Sequence, residues 1–189
     1  MIEDFLQDRS ALYLSGAMTT GEREEFELIL EFHDGVREFV AHLQGVASGI
    51  LLSRLPLNIP GPSPETKSAI LRAVAVQPRQ TPEGLVATGP DQLVQWVNPA
   101  FTAMCGYSID ELRGKSLGPI LQGKTSDPAA VSRMRSAIHA LRPCRETLVN
   151  YHKEGWPYWV DIEIIPVLDD ERQPRWFVAR ERLTEPLAA

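Results

Sequence analysis

Hydrophobic residues recur every three or four positions through residues 1–76. Phe26, Ile29 and Leu30 form one apolar stripe. Thr19 and Glu22, which precede this stripe, fit a capping box at the start of a helix. A longer stripe follows: Val36, Phe39, Val40, Leu43, Val46, Ala47, Ile50 and Leu51. This second stripe predicts an amphipathic helix of about four turns. The first part of the chain is therefore expected to be a small helical bundle.

Two proline-rich segments interrupt this pattern. Residues 55–65, LPLNIPGPSPE, end the long stripe, because proline lacks the backbone N–H group and bends or extends the chain. Ser63 and Pro64 are suited to cap a further short helix from Glu65 to Val74. Residues 77–84, QPRQTPEG, are predicted to form a linker.

After the linker the pattern changes to short strands separated by small helices. LVA and LVQWV predict two strands joined by a Gly-Pro-Asp turn. Asn98, Ser108 and Asp127 stand where helix N-caps are expected. Three more strands are predicted: Arg145–His152, Pro157–Val167 and Arg175–Leu183. The order predicts an antiparallel α+β domain over residues 85–185, with 186–189 as a tail.

The charge is acidic and uneven. The chain has a formal net charge of −6, and residues 1–56 hold ten acidic and four basic side chains, which account for all of it. Nucleic-acid binding relies on Lys and Arg that neutralise phosphates, so we expect no nucleic-acid partner. The first ten residues contain no apolar run, and no apolar stretch is long enough to cross a bilayer. We expect a cytoplasmic protein without a membrane segment.

The two cysteines, Cys105 and Cys144, have no metal-ligand spacing with each other. The histidines His33, His42 and His152 form no metal-ligand spacing with each other or with either cysteine. We expect two reduced thiols and no metal site.

Six motifs of the second half occur in the order of one known family: VNPAF, GYSIDELRGK, LQG, SDPAAVSRMRSAI, NYHKEGWPYW and WFVARERLT. With them the chain resembles a PAS domain from about Leu85 to Glu185, and within that superfamily the flavin-binding light, oxygen or voltage (LOV) sensors. The resemblance implies a five-stranded antiparallel sheet with flanking helices. It also implies a sensory function.

The loop GKSLGPILQGKTSDP, Gly114 to Pro128, differs from that of photoactive LOV domains. Photoactive members have a cysteine just before the LQG segment, which bonds covalently to the excited flavin. Here that place is taken by Leu-Gly-Pro at 117–119, and neither Cys105 nor Cys144 falls there. We therefore expect no light-driven cysteinyl bond.

Flavin binding itself depends on polar groups around the ring and on a cation near the phosphate. By resemblance, Gln122 matches a glutamine that contacts the ribityl chain, Arg135 a phosphate-contacting arginine, and Asn150 a ring-contacting asparagine. These three are the candidate cofactor-binding residues if a flavin binds. His139 makes haem a further candidate cofactor, since some PAS sensors bind haem through a histidine on a helix.

Three other pocket positions depart from the family pattern. Val160 replaces the second ring asparagine, Pro119 the arginine after the reactive cysteine, and Arg180 the glutamine of the last strand. Each lost hydrogen-bond partner of a buried flavin edge costs roughly 1 to 3 kcal/mol. Alternation places Trp176, Val178 and Arg180 on one strand face, and if that face is inward Arg180 fills the pocket. We therefore expect no bound cofactor, with FMN as the alternative.

The N-terminal segment ALYLSGAMTTGEREEFELIL, residues 11–30, resembles the opening of anti-sigma-factor domains. The resemblance extends roughly from Ser10 to Val74, and only the zinc-free branch fits, since the His and two Cys ligands are missing. It implies that residues 1–76 wrap a sigma factor, whose basic surface would suit their acidic charge. A helical dimerisation module, as many PAS proteins have, is the alternative.

No nucleophile, phosphate loop or paired acids stand in an enzyme-like context. Asp161 and Glu163 alternate with apolar residues, as on the solvated face of a strand. We predict a non-enzymatic regulator in which the PAS domain controls a helical module that binds a protein partner, such as a sigma factor, and in which the chain forms a homodimer. The alternative is a LOV-like flavin sensor of redox state or light that lacks the cysteinyl bond and dimerises through its N-terminal helices.

Overall fold

The computed structural model describes residues 2–54 and 83–185, without the side chains of 47–54. The described residues fall into two compact units, one with the residues up to Met18 and from Asp34, the other with Thr19–His33 and the residues from 83 onward. The predicted helix Glu65–Val74, most of the linker and the tail lie outside the described residues.

The first unit contains two packed helices, α1 (Asp4–Ser15) and α3 (Asp34–Arg54). Gly16 ends α1 in the left-handed conformation at φ 73°, and its N–H group bonds the carbonyls of the last turn. With 21 residues α3 is longer than the four turns predicted. Its helical backbone continues past the last residue of the apolar stripe.

The second unit is built on one five-stranded antiparallel sheet with strand order β2-β1-β5-β4-β3. The strands are β1 (Gly84–Thr88), β2 (Val94–Val97), β3 (Cys144–Tyr151), β4 (Pro157–Leu168) and β5 (Pro174–Leu183). Their bounds differ from the predicted ones by about one residue. The predicted α+β architecture, a helical N-terminal region followed by such a sheet with flanking helices, is confirmed.

Four helices lie between β2 and β3, and three of them begin at the predicted caps. They are α4 (Pro99–Cys105), α5 (Ile109–Leu112), α6 (Gly118–Leu121) and α7 (Pro128–His139). The side chains of Asn98, Ser108 and Asp127 each accept a hydrogen bond from a backbone N–H group of the first turn. Ser108 and Glu111 complete the predicted capping box.

The inner face of the sheet carries the core, and the outer face is charged. On β4, Tyr158, Val160 and Ile162 are buried, whereas the alternate residues Asp161 and Glu163 are half-buried. Arg145 pairs with Asp161 across β3 and β4 at 2.5 Å. This alternation directs the helices and any ligand site to the inner face.

The remaining N-terminal helix, α2 (Thr20–Phe32), belongs to the sheet unit. It starts at the predicted capping box of Thr19 and Glu22. At its end the Phe32 ring lies 6.2 Å from the Trp96 ring and 5.4 Å from the Trp176 ring, centroid to centroid. Aromatic side chains of β2 and β5 therefore hold the end of α2.

Within residues 2–54 and 83–185, no helix is both long enough and apolar enough to span a membrane.

Candidate ligand pocket

A cavity of about 260 Å³ lies between the inner face of the sheet and helices α6 and α7. Aliphatic side chains such as Val86, Ile162 and Ile164 line much of it. Gln122, Arg135 and Asn150 also line it, so the three residues predicted from separate motifs meet at one cavity. Apolar walls with a few convergent polar groups are typical of small-molecule sites.

A buried hydroxyl group ties the Gln122 segment to the Asn150 strand. Ser126 is 6% exposed, and its Oγ atom donates a hydrogen bond of 2.5 Å to the carbonyl of Val149. The same atom accepts a bond of 2.9 Å from the N–H group of Gly123. The backbone neighbours of the two candidate ligand residues are thus linked through one side chain.

The glycine of the LQG segment is required by close packing. A Cβ atom on Gly123 would lie 2.5 Å from the ring of Tyr151, which follows Asn150 on β3. The Tyr151 hydroxyl group also lies 2.8 Å from Oγ1 of Thr125. These contacts bring the loop against the strand and help to position the half-buried Gln122 beside the cavity.

Arg135 and Asn150 occupy different depths of the cavity. Asn150 is 2% exposed, so its amide lies in the interior. Arg135 is exposed and also lines the cavity, which places it at the mouth. Its helix turns its buried face, with Ala130 and Met134, toward the sheet. A ligand with an apolar body and an anionic end would match this arrangement.

The prediction that Arg180 stands at the glutamine position of the last strand is wrong. On β5 the cavity is lined by Phe177, Ala179 and Glu181. Arg180 points to the opposite face and pairs with Glu163 at 3.7 Å. A shift of one residue moves a strand side chain to the other face of the sheet. Arg180 therefore does not fill the pocket, and Glu181 takes the inward place.

Glu181 is a charged residue type in an apolar setting. Its side chain is 3% exposed, and its Oε2 atom has no hydrogen-bond partner among the described residues. Burial raises the pKa of Glu181 to about 8, because the charged form loses its hydration. Burial, and next the Glu181 carboxylate, also raise the pKa of Tyr158. The sequence offered no signal for Glu181 beyond its place in the alternation.

The other changed positions have different surroundings. Val160 is fully buried in the core, where it offers no hydrogen bond. Pro119 lines the cavity beside Gly118. Cys105 and Cys144, the two cysteines of the chain, are free and line no part of it. Burial raises the pKa of both thiols.

His139 is exposed at the end of α7 and does not line the cavity. The structure gives haem no support at that residue. A search of the described residues for three or more His, Cys, Asp or Glu side chains suited to one metal ion found no such group.

Comparisons with known proteins relate this domain to blue-light receptors. The chain is 36% identical to the blue-light-activated histidine kinase of Brucella ovis over 92 residues, which are 49% of this chain and 19% of that relative. The LOV domain of the Erythrobacter litoralis EL346 blue-light-activated histidine kinase aligns with a TM-score of 0.52 and 30% identity, covering 56% of this chain and 98% of that one. The LOV domain of the photoreceptor Aureochrome1 aligns with a TM-score of 0.52 and 26% identity, and the alignment covers 54% of this chain and 81% of that one.

These relatives contradict the prediction of a non-enzymatic protein. Those from Brucella and Erythrobacter are named blue-light-activated histidine kinases, and kinases are enzymes. The match to the kinases covers only their sensor part, about a fifth of the Brucella relative. Absence of catalytic motifs in such a part carries no information about catalysis by the whole protein.

The family assignment follows from the match over the sheet unit. The sequence pattern of the PAS domain matches residues 82–180, more than half of the chain. The matched span includes all five strands, the four intervening helices and the cavity, except for the last residues of β5. The chain therefore belongs to the PAS domain family.

Proposed function

We propose that the PAS domain is a LOV-type flavin sensor that binds FMN and responds to redox state or light without a cysteinyl bond. The observation that carries this proposal is the convergence of Gln122, Arg135 and Asn150 on one cavity. The similarity to LOV domains of blue-light receptors supports it. The outward direction of Arg180 removes the main objection to a bound cofactor.

The residues present fit a flavin in chemistry. Asn150 offers a buried amide to the polar ring edge, Gln122 a half-buried amide to the ribityl chain, and Arg135 an exposed cation to the phosphate. The Oε2 atom of Glu181, which also lines this cavity, has no hydrogen-bond partner among the described residues and is therefore available to a ligand. The cavity, at about 260 Å³, lies just below the usual range for ligand pockets, roughly 300 to 1,000 Å³.

A bound flavin supplies absorption of blue light and reversible uptake of electrons and protons. The protein side chains hold and orient it, while the aliphatic walls exclude water from the ring. Neither cysteine lines the cavity, so the response rests on non-covalent contacts at the polar residues. A change in those contacts would alter the relative stability of two arrangements of the domain.

The first experiment is the visible absorption spectrum of the freshly purified protein, followed by titration with FMN. We expect a flavin-shaped band, or its appearance on reconstitution, with quenched fluorescence. Asn150→Leu should abolish it, whereas Gln173→Leu, which removes an exposed amide that does not line the cavity, should not. A folded protein that stays colourless and does not bind added FMN would overturn the proposal.

For the output we propose that residues 1–76 bind a protein partner, with a sigma factor as the leading class. The acidic excess of this region supports a basic partner. Leu12 and Val46 on α1 and α3 are each 47% exposed, which leaves apolar surface on these helices. Affinity capture with the native cytoplasm, combined with light scattering of the purified protein, tests this. Reproducible absence of sigma factors together with a stable homodimer would favour the dimerisation alternative.

A further inference from the structure

Glu181 has a carboxyl group that the proposed flavin contacts do not use. It lines the cavity, is 3% exposed, and holds an oxygen without a partner among the described residues. A buried polar group without a partner costs about 1 to 3 kcal/mol, and a charged one costs more. Such groups are rare in native proteins, and where one occurs it calls for a functional or structural explanation.

No basic side chain on β5 compensates Glu181. Its two neighbours along the strand, Arg180 and Arg182, point to the outer face. Arg180 pairs there with Glu163, and Arg182 with Glu83. The two cations nearest in sequence are therefore already paired on the other side of the sheet.

The elements packed against the inner face supply no close cation either. Cys105 on α4 and Tyr158 on β4 interact electrostatically with Glu181, and both are weak acids. On β1 the residue opposite Glu181 is Gly84, which carries no charge. From α7, Arg135 shares the cavity at its exposed mouth and forms no ion pair with Glu181 within the described structure.

We infer that Glu181 is kept as the neutral carboxylic acid and donates a hydrogen bond to an acceptor atom of the ligand, so that loss of its proton weakens binding. This inference rests on the proposed flavin function and deepens it. The raised pKa, about 8, agrees with a neutral group near neutral pH. The ligand edge that meets Glu181 must then carry a carbonyl oxygen or an unprotonated ring nitrogen, both of which a flavin presents.

Ligand binding should weaken when Glu181 loses its proton, because the carboxyl group then has no hydrogen-bond donor. A protonated carboxyl group has one O–H donor, whereas a carboxylate only accepts. The carboxylate would face the ligand acceptor with negative charge and no donor, in a site where burial strengthens the repulsion. A glutamine at the same position keeps an N–H donor at every pH. Glu181→Gln should therefore bind without this dependence.

The protonation state can be tested without a ligand. Infrared difference spectra of the full chain, wild type minus Glu181→Gln, should show the C=O band of a protonated carboxyl group near neutral pH, and the band should fade above about pH 8. Glu163→Gln, on the outer face, serves as the control and should remove no such band. Absence of the band at about pH 6 would overturn the inference, whatever the protein binds.

The donor role is tested by FMN titrations at several pH values. If only the neutral acid binds well, the affinity of the wild type should fall about tenfold between pH 7 and pH 9, while that of Glu181→Gln stays constant. Glu181→Asp, which keeps an acid, should retain a pH dependence if the glutamine variant folds poorly. Identical pH profiles for wild type and Glu181→Gln would overturn the inference while leaving the proposed function intact. Failure of both folded proteins to bind FMN would overturn the proposed function and the donor role, and the infrared band would still decide the protonation state.

Discussion

The hydroxyl group of Ser126 donates a hydrogen bond to the Val149 carbonyl over 2.5 Å. It also accepts one from Gly123, so it joins the loop after α6 to β3 at the cavity. Loss of this side chain leaves two backbone groups without their partner. The pair therefore couples local stability to the position of the ligand residues.

Ser126→Ala should lower the free energy of unfolding by about 1 to 3 kcal/mol, the cost of unpaired buried groups. It should also weaken FMN binding, because Gln122 loses its support. Urea unfolding and flavin titration measure the two effects. Thr125→Ala, which removes an exposed bond to Tyr151, is the matched control and should change both much less. Equal effects of the two variants would contradict the assigned role of Ser126.

Arg135→Ala should weaken binding of the FMN phosphate and leave binding of the flavin ring unchanged. An exposed cation at the mouth of the cavity can bond the FMN phosphate, so its loss should weaken FMN binding about tenfold. Riboflavin, which has no phosphate, should bind equally well before and after the change. Fluorescence titrations with both flavins provide the measurement, with Arg113→Ala as a control outside the cavity. A parallel loss for riboflavin would show that Arg135 acts on folding rather than on phosphate.

Gly118→Cys should introduce a light response of the cysteinyl kind. Gly118 lines the cavity, and the atoms nearest to a Cβ atom there would be those of the Gln122 side chain, at 3.4 Å or more. We expect blue light to bleach the flavin band of this variant, and the band to return in the dark. Gly118→Ser has nearly the same size and no thiol, so its band should persist. A stable band in both flavin-loaded variants would mean that the residue 118 side chain does not reach the ring.

Glu181→Gln should alter how stability depends on pH. The folded pKa of about 8 lies above the ordinary value of 4.5, so the stability contributed by Glu181 is fully present below about pH 4.5. It is lost as the pH rises toward and through about 8. We expect the wild type to lose on the order of a few kcal/mol across this range, and the variant to lose less. Urea unfolding at about pH 5 and about pH 9 compares them, and parallel losses would contradict the raised pKa.

Phe32→Ala should release the end of α2 from the sheet. The Phe32 ring contacts those of Trp96 and Trp176 and is half-buried, so its removal should cost roughly 2 kcal/mol. Hydrogen exchange of α2 should accelerate, and tryptophan emission should shift. Leu12→Ala, an exposed apolar residue, is the control. Unchanged exchange in α2 would indicate that other contacts hold it.

Most elements of the sheet unit could be predicted because their signals are local. The caps at Asn98, Ser108 and Asp127 depend on a side chain and the next three residues. The strands alternate in burial along their own sequence. Gln122, Arg135 and Asn150 were found through motifs, and the fold brings them to one cavity.

The sequence by itself determined the α+β order, the capped helix starts at Thr19, Asn98, Ser108 and Asp127, and the PAS family motifs, since these rest on short-range periodicity and hydrogen bonding. Which face of β5 turns inward was decided by tertiary structure, because both faces of that strand carry polar and apolar residues and a slip of one position exchanges them. For that reason the sequence pattern placed Arg180 at the glutamine position and gave no signal for Glu181. The contact of Phe32 with Trp96 and Trp176 was equally invisible, since it joins residues more than sixty positions apart through packing alone.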